Sequence, residues 1–131
     1  MKTRNRVLIF DDDAEVGHCI ALLAEHFDVD AVSVCLAAEF FNAVEQWHPT
    51  HIILDLIMPE IDGMEVLQSL ADTGCVSQIA ISSGAGANAM STAKNTGISR
   101  GLNVREGIPK PLTVSAFRDF ILGEPKLPSL N

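Results

Sequence analysis

Between Val7 and Ile121 the chain alternates short apolar runs with longer segments whose apolar residues recur at helical spacing. Val7-Leu-Ile-Phe10 is the first run, and Val29 to Val34, Ile52 to Leu56, Gln78 to Ser82 and a poorer Val104 to Ile108 follow it. The unbroken run Val7–Phe10 reads as a strand covered on both faces, and the others read as further strands. From Ala14 onward, Val16, Cys19, Ile20, Leu23 and Phe27 fall on one helical stripe, with Asp13 placed to cap the free N–H groups. Phe40, Val44 and Trp47 mark a second helix that ends at His48-Pro49. Met64, Leu67 and Leu70 mark a third, after the turn Pro59-Glu-Ile-Asp-Gly63. Ala85 to Gly97 is helix-permissive but rich in Gly, Ala, Ser and Asn, so its packing stripe is weak. Val114, Phe117, Phe120 and Ile121 give the last helix. Five βα units in series predict an α/β fold: a doubly wound, five-stranded parallel sheet with helices on both faces, joined by right-handed crossovers.

The 131 residues suit one domain, expected over 1–123, with 124–131 as a tail or the start of a linker. A net charge of −8 argues against direct nucleic-acid binding, which needs clustered Lys and Arg. No apolar run approaches the roughly 20 residues of a membrane span. The basic residues at the start lead straight into a strand-like run rather than a signal-peptide core, so a cytoplasmic protein is expected. Cys19, Cys35 and Cys75 stand among apolar neighbours without metal-ligand spacing and read as small core residues. His18, His26, His48 and His51 are scattered and read as surface or core histidines.

Ligands of open parallel sheets bind outside the carboxyl ends of the strands. Asp11, Asp12, Asp55, Ser82, Ser83 and Lys110 all fall at such ends. Carboxylates gathered at one edge repel one another unless a cation or a phosphoryl group uses them. The pattern therefore predicts a divalent metal site beside one special aspartate.

Four segments in order, Val7-Leu-Ile-Phe-Asp-Asp-Asp13, Asp55-Leu-Ile-Met-Pro-Glu-Ile-Asp-Gly63, Ile81-Ser-Ser-Gly84 and Lys110-Pro111, resemble the receiver domain of two-component response regulators. The resemblance covers essentially the whole chain and implies the flavodoxin-like strand order 2-1-3-4-5. It implies Asp55 as phosphate acceptor and a Mg²⁺ site formed by Asp12 directly, Asp11 through water, Asp55 and the backbone carbonyl of Ile57. Ser83 matches the hydroxyl that turns to a phosphoryl oxygen, and Lys110 the cation that pairs with the acid or the phosphate. Met58 and Gly84 match the phosphate pocket, Gly84 leaving it room. Ser82, one residue before Ser83, points to the opposite side of its strand. The Lys110-Pro111 bond is implied to be cis. The implied partners are a sensor histidine kinase or histidine phosphotransfer protein, and an output domain or effector reached through the face from helix 4 to helix 5.

The chain departs from the family pattern at Gly107, where an aromatic switch residue usually stands three positions before the lysine. The expected response to phosphorylation is then a shift of the Ser83 loop and the Ala85–Gly97 segment without a ring. Pro109 also removes a donor from the fifth strand, which is tolerable only at a sheet edge. Two other readings compete with a phosphoryl-accepting switch. One is a haloacid-dehalogenase-like Mg²⁺ phosphatase using Asp11, whose Asp-x-Asp spacing is present although the chain is short and offers no cap domain. The other is a phosphorylation-independent interaction module.

Overall fold

A computed structural model of the chain describes residues 4–84 and 86–123. The expected tail, 124–131, lies outside the described residues, as does Ala85. In chain order the elements are β1 (Arg6–Phe10), α1 (Ala14–His26), β2 (Asp30–Val34), α2 (Ala37–Trp47), β3 (His51–Leu54) and α3 (Gly63–Asp72). They continue with β4 (Gln78–Ser83), α4 (Ala87–Ser99), β5 (Asn103–Val104), β6 (Ile108–Pro109) and α5 (Val114–Leu122). The strands are parallel in the order β2-β1-β3-β4-β5, as expected, with Val7, Leu8 and Phe10 of β1 opposite His51, Ile52 and Leu54 of β3.

Alternation along the strands divides the core into two layers. Leu8, Phe10, Ile52, Leu54, Ile79 and Ile81 face one side, with Phe40 of α2, Val66, Leu67 and Leu70 of α3 and Ala93 of α4. Val7, Ile9, Ile53 and Ala80 face the other, with Ile20 and Ala24 of α1 and Phe117, Phe120 and Ile121 of α5. Helices on both faces leave the two ends of the sheet as its accessible edges.

Two sequence expectations are corrected here. Cys19 is exposed, and Cys35 and Cys75 are only half-buried. In α1 the buried line is Gly17, Ile20 and Ala24. The helix lies so close to β2 that a Cβ at Gly17 would overlap the Ser33 side chain. Because each helical residue advances about 100°, that approach turns Cys19 away from the sheet. The fifth strand, expected as one run from Val104 to Ile108, is two short pieces. Val104 pairs with Ile79, and Ile108 with Ser82. The gap contains Gly107, and Pro109 occupies the exposed edge that its missing donor requires.

His51, at the opening end of β3, is 2% exposed. Its Nδ1 lies 2.8 Å from Thr50 Oγ1, its Nε2 is buried without a hydrogen-bond partner among the described residues, and its ring stands edge-on to Phe120. Burial, with the charge of Arg105 adding to it, lowers its pKa from 6.5 to about 4. The unfolded chain therefore takes up a proton at higher pH than the native one. The stabilising effect of a neutral His51 is complete above pH 6.5 and is lost as pH falls toward 4. This group is expected to remove about 2 kcal/mol of unfolding free energy between pH 7.5 and 5. Urea titrations of wild type and His51→Leu at the two pH values check this, because the variant lacks that component.

Candidate functional site

Asp11 and Asp55 leave adjacent strands at the carboxyl end of the sheet, because β1 and β3 pair in register up to Phe10 and Leu54. The Asp55 N–H donates to the Phe10 carbonyl at 3.0 Å, which extends the ladder into the site. Asp11 is 3% exposed and Asp55 5%, whereas Asp12 faces solvent. One carboxylate oxygen from each of the three lies within 4.8 Å of the others. Hard oxygen donors converging in this way suit a small divalent cation, which asks for few protein ligands because it keeps its waters.

Lys110 closes the cluster. Its Nζ donates to Asp11 Oδ2 at 2.8 Å and to Asp55 Oδ2 at 3.2 Å. Asp11 Oδ1 accepts the Asp13 N–H at 2.9 Å, and Asp55 Oδ1 accepts the Ile57 N–H at 3.1 Å. Burial pushes the Asp55 carboxyl pKa above the usual carboxylate value, and the nearby Asp11 charge adds to this against the pull of the Ile57 N–H and Lys110. Burial also works against the Lys110 ammonium. Its hydrogen bond to Asp11 and the charges of Asp11 and Asp55 outweigh that and hold its pKa above the ordinary lysine value. The pocket thus concentrates negative charge that one ammonium only partly offsets, the condition in which an added cation binds well.

The loop after Asp55 is set by two local devices. Asp62 caps α3 by accepting the Met64 N–H at 2.9 Å, and Ile57 forms an antiparallel bridge with Asp62. A Cβ at Gly63 would lie 2.7 Å from Leu56 Cα, so the chain passes itself there at glycine distance. Met58 sits beside Asp12 and Pro59 in a small notch of about 220 Å³. Ile57 is 63% exposed.

At the end of β4 both serines are buried, but they diverge. Ser83 lines a cavity of about 450 Å³ together with Gly84 and Lys110, and Ser82 does not. Gly84 is exposed with nothing near the position of a Cβ, so the space beside it is open. The Lys110–Pro111 peptide is cis, as the resemblance implied. The structure therefore brings Asp11, Asp12, Asp55 and Lys110 together, with Ser83 and Gly84 in the cavity that Lys110 also lines and Met58 in the notch beside Asp12. Sequence reasoning did not find Met90, which projects into the cavity from α4. The available signal was that it is the only large apolar side chain in the first two turns of that helix.

The response regulator receiver domain model matches residues 7–119. The chain belongs to this family. A CheY-like receiver domain protein from Methanospirillum hungatei has the same fold, with a TM-score of 0.78 at 18% identity over 92% of each chain. A response regulator from Colwellia psychrerythraea is 29% identical, with a TM-score of 0.73 over 92% of this chain and 95% of that one. The DNA-binding response regulator MtrA of Mycobacterium tuberculosis is 29% identical over 72 residues, 54% of this chain and 32% of its own length. The chain thus aligns with about a third of that curated relative. Among the described residues of this receiver domain, no helix is long and apolar enough to cross a membrane.

Proposed function

We propose that this receiver domain accepts a phosphoryl group on Asp55 from the histidine of a sensor kinase or phosphotransfer protein and thereby switches a partner or output domain. The observation that carries the reading is the meeting of the Asp11, Asp12 and Asp55 carboxylates within 4.8 Å, with Lys110 bridging Asp11 and Asp55. A carboxylate is a competent nucleophile toward phosphorus. The Asp55 oxygen forms the new P–O bond as the P–N bond to the donor histidine breaks. Asp12 and Asp55, the Ile57 carbonyl, and Asp11 through water would hold Mg²⁺, which when bound neutralises the acids and the phosphoryl oxygens. Lys110 exchanges its contact with Asp55 for one with the phosphoryl group. Ser83 donates its hydroxyl to a second oxygen, with Gly84 and Met58 shaping the space. The domain then catalyses only its own phosphorylation and dephosphorylation.

The Asp11 phosphatase reading is disfavoured by the family, since the receiver domain model matches residues 7–119. As for partners, no Lys or Arg lies between Val7 and Ala93, where fourteen Asp and Glu residues fall. A donor with a basic rim is steered to such a surface, whereas a nucleic acid is repelled. The response leaves through the face from α4 to α5, and the domain works in the cytoplasm beside its kinase.

Incubation with Mg²⁺ and a small acyl phosphate, followed by intact mass measurement, tests the reading. One phosphoryl adduct is expected, mapped to Asp55 by peptide analysis and prevented by EDTA. An adduct on another residue, a protein that stays unmodified, or sustained turnover of phosphate monoesters would overturn it.

A further inference from the structure

Gly107 leaves a space in the wall of the cavity beside Ser83, and a residue from another element occupies it. A Cβ built on Gly107 would lie 2.5 Å from Met90 Cε, closer than real Cβ atoms approach a neighbour. The Met90 methyl therefore stands where a side chain at 107 would begin. Met90 belongs to α4 and is half-buried against the core layer that contains Ile79 and Ile81 of β4. The same cavity of about 450 Å³ is lined by Ser83 and Lys110 on the phosphoryl side and by Met90 and Lys94 on the helix side. Lys94 reaches across to Glu106, beside Gly107, at 3.6 Å.

We propose that Met90 is the positioning residue through which occupancy of Asp55 and Ser83 is passed to α4, working in the space that Gly107 leaves open. This rests on the phosphate-acceptor reading of Asp55 and names how that site reports its state. An unbranched thioether suits the task, because its flexible torsions let it follow a changing cavity without strain. When Ser83 turns toward a phosphoryl oxygen, the volume beside it changes, and Met90 is the large apolar side chain from α4 in the wall of that cavity, able to fill or vacate the volume. Since Met90 is carried by the helix, its repacking moves the first two turns of α4. The flanking Gly86 and the small residues Ala87 and Ala89 give those turns little packing to resist this.

The full chain labelled with methyl-¹³C methionine provides the readout, because it holds four methionines and Met64 of α3 serves as an internal reference. Mass measurement first establishes that Asp55 carries the phosphoryl group, which separates failure of the acceptor reading from failure of this one. On that sample the Met90 methyl resonance is expected to shift with the extent of modification and to stay unmoved in Asp55→Asn. Met90→Ala is expected to be phosphorylated on Asp55 but to lose the amide shift changes of α4. In Met90→Ala/Gly107→Phe a ring fills the vacated space, and those changes are expected to return. A Met90 methyl that stays fixed on phosphorylation would overturn the proposal. So would α4 amides that respond in Met90→Ala as they do in the wild type.

Discussion

Asp55→Asn is expected to abolish the phosphoryl adduct completely while raising the melting temperature measured in EDTA. The first effect follows from losing the nucleophilic carboxylate, since an amide oxygen does not form the acyl phosphate. The second follows from the electrostatics of the site. Burial, with Asp11 close by, raises the Asp55 pKa in the native state above 3.8. Between the unfolded and native values the native chain binds the extra proton, so stability falls as pH rises through that window. At neutral pH the ionised Asp55 is therefore a net cost to the metal-free fold, and a neutral isostere removes it. Lys110 keeps its 2.8 Å contact with Asp11 in the variant, so the ammonium is not stranded. Intact mass and thermal melts on one preparation check both halves. Loss of the adduct together with a lowered melting temperature would mean that the variant is damaged rather than disarmed. A persistent adduct would move the acceptor elsewhere.

Phe40→Ala is expected to cost about 3–5 kcal/mol, the range for a large aromatic removed from a packed core. Phe40 is fully buried, and its ring stacks on Phe10 with centroids 4.7 Å apart. Phe10 immediately precedes Asp11, so this stack fixes the end of β1 from which the acidic cluster projects. Against a typical total stability of about 5–15 kcal/mol, the loss is large. For a domain of this size it corresponds to a fall in melting temperature of roughly 10–20 °C. Urea and thermal unfolding measure it directly. A loss below about 1 kcal/mol would show that the neighbouring side chains collapse into the space and that the stack is not what anchors the site.

Most of the architecture was legible because its signals are local. The apolar run Val7–Phe10 and the acids that follow it reveal both a strand and the end of that strand within a few residues. The capping acid Asp13 was equally plain, and it accepts the Glu15 N–H as its position before an apolar stripe suggests. Asp62, read from the sequence as part of a turn, also caps its helix by accepting the Met64 N–H. Where the local signal is weak, element boundaries shift. The Gly-, Ala- and Ser-rich segment from Ala85 has no stripe, so the expected helix to Gly97 is offset from α4, which runs Ala87–Ser99. Cys19 sits at a spacing that fits the α1 stripe, but the approach of Gly17 to β2 chooses a neighbouring line of that helix.

By itself, then, the sequence determined the order of strands and helices, the doubly wound class and the set of residues delivered to one edge of the sheet. Periodicity, caps and strand ends are properties of neighbouring residues, so no tertiary information is needed to see them. Only the tertiary structure decided which of those residues meet. Lys110 reaches Asp11 across 99 positions of chain, and Met90 takes the space left by Gly107. Those contacts depend on strand order and on how closely each helix lies against the sheet. Both are settled by packing between distant segments, which no local pattern records.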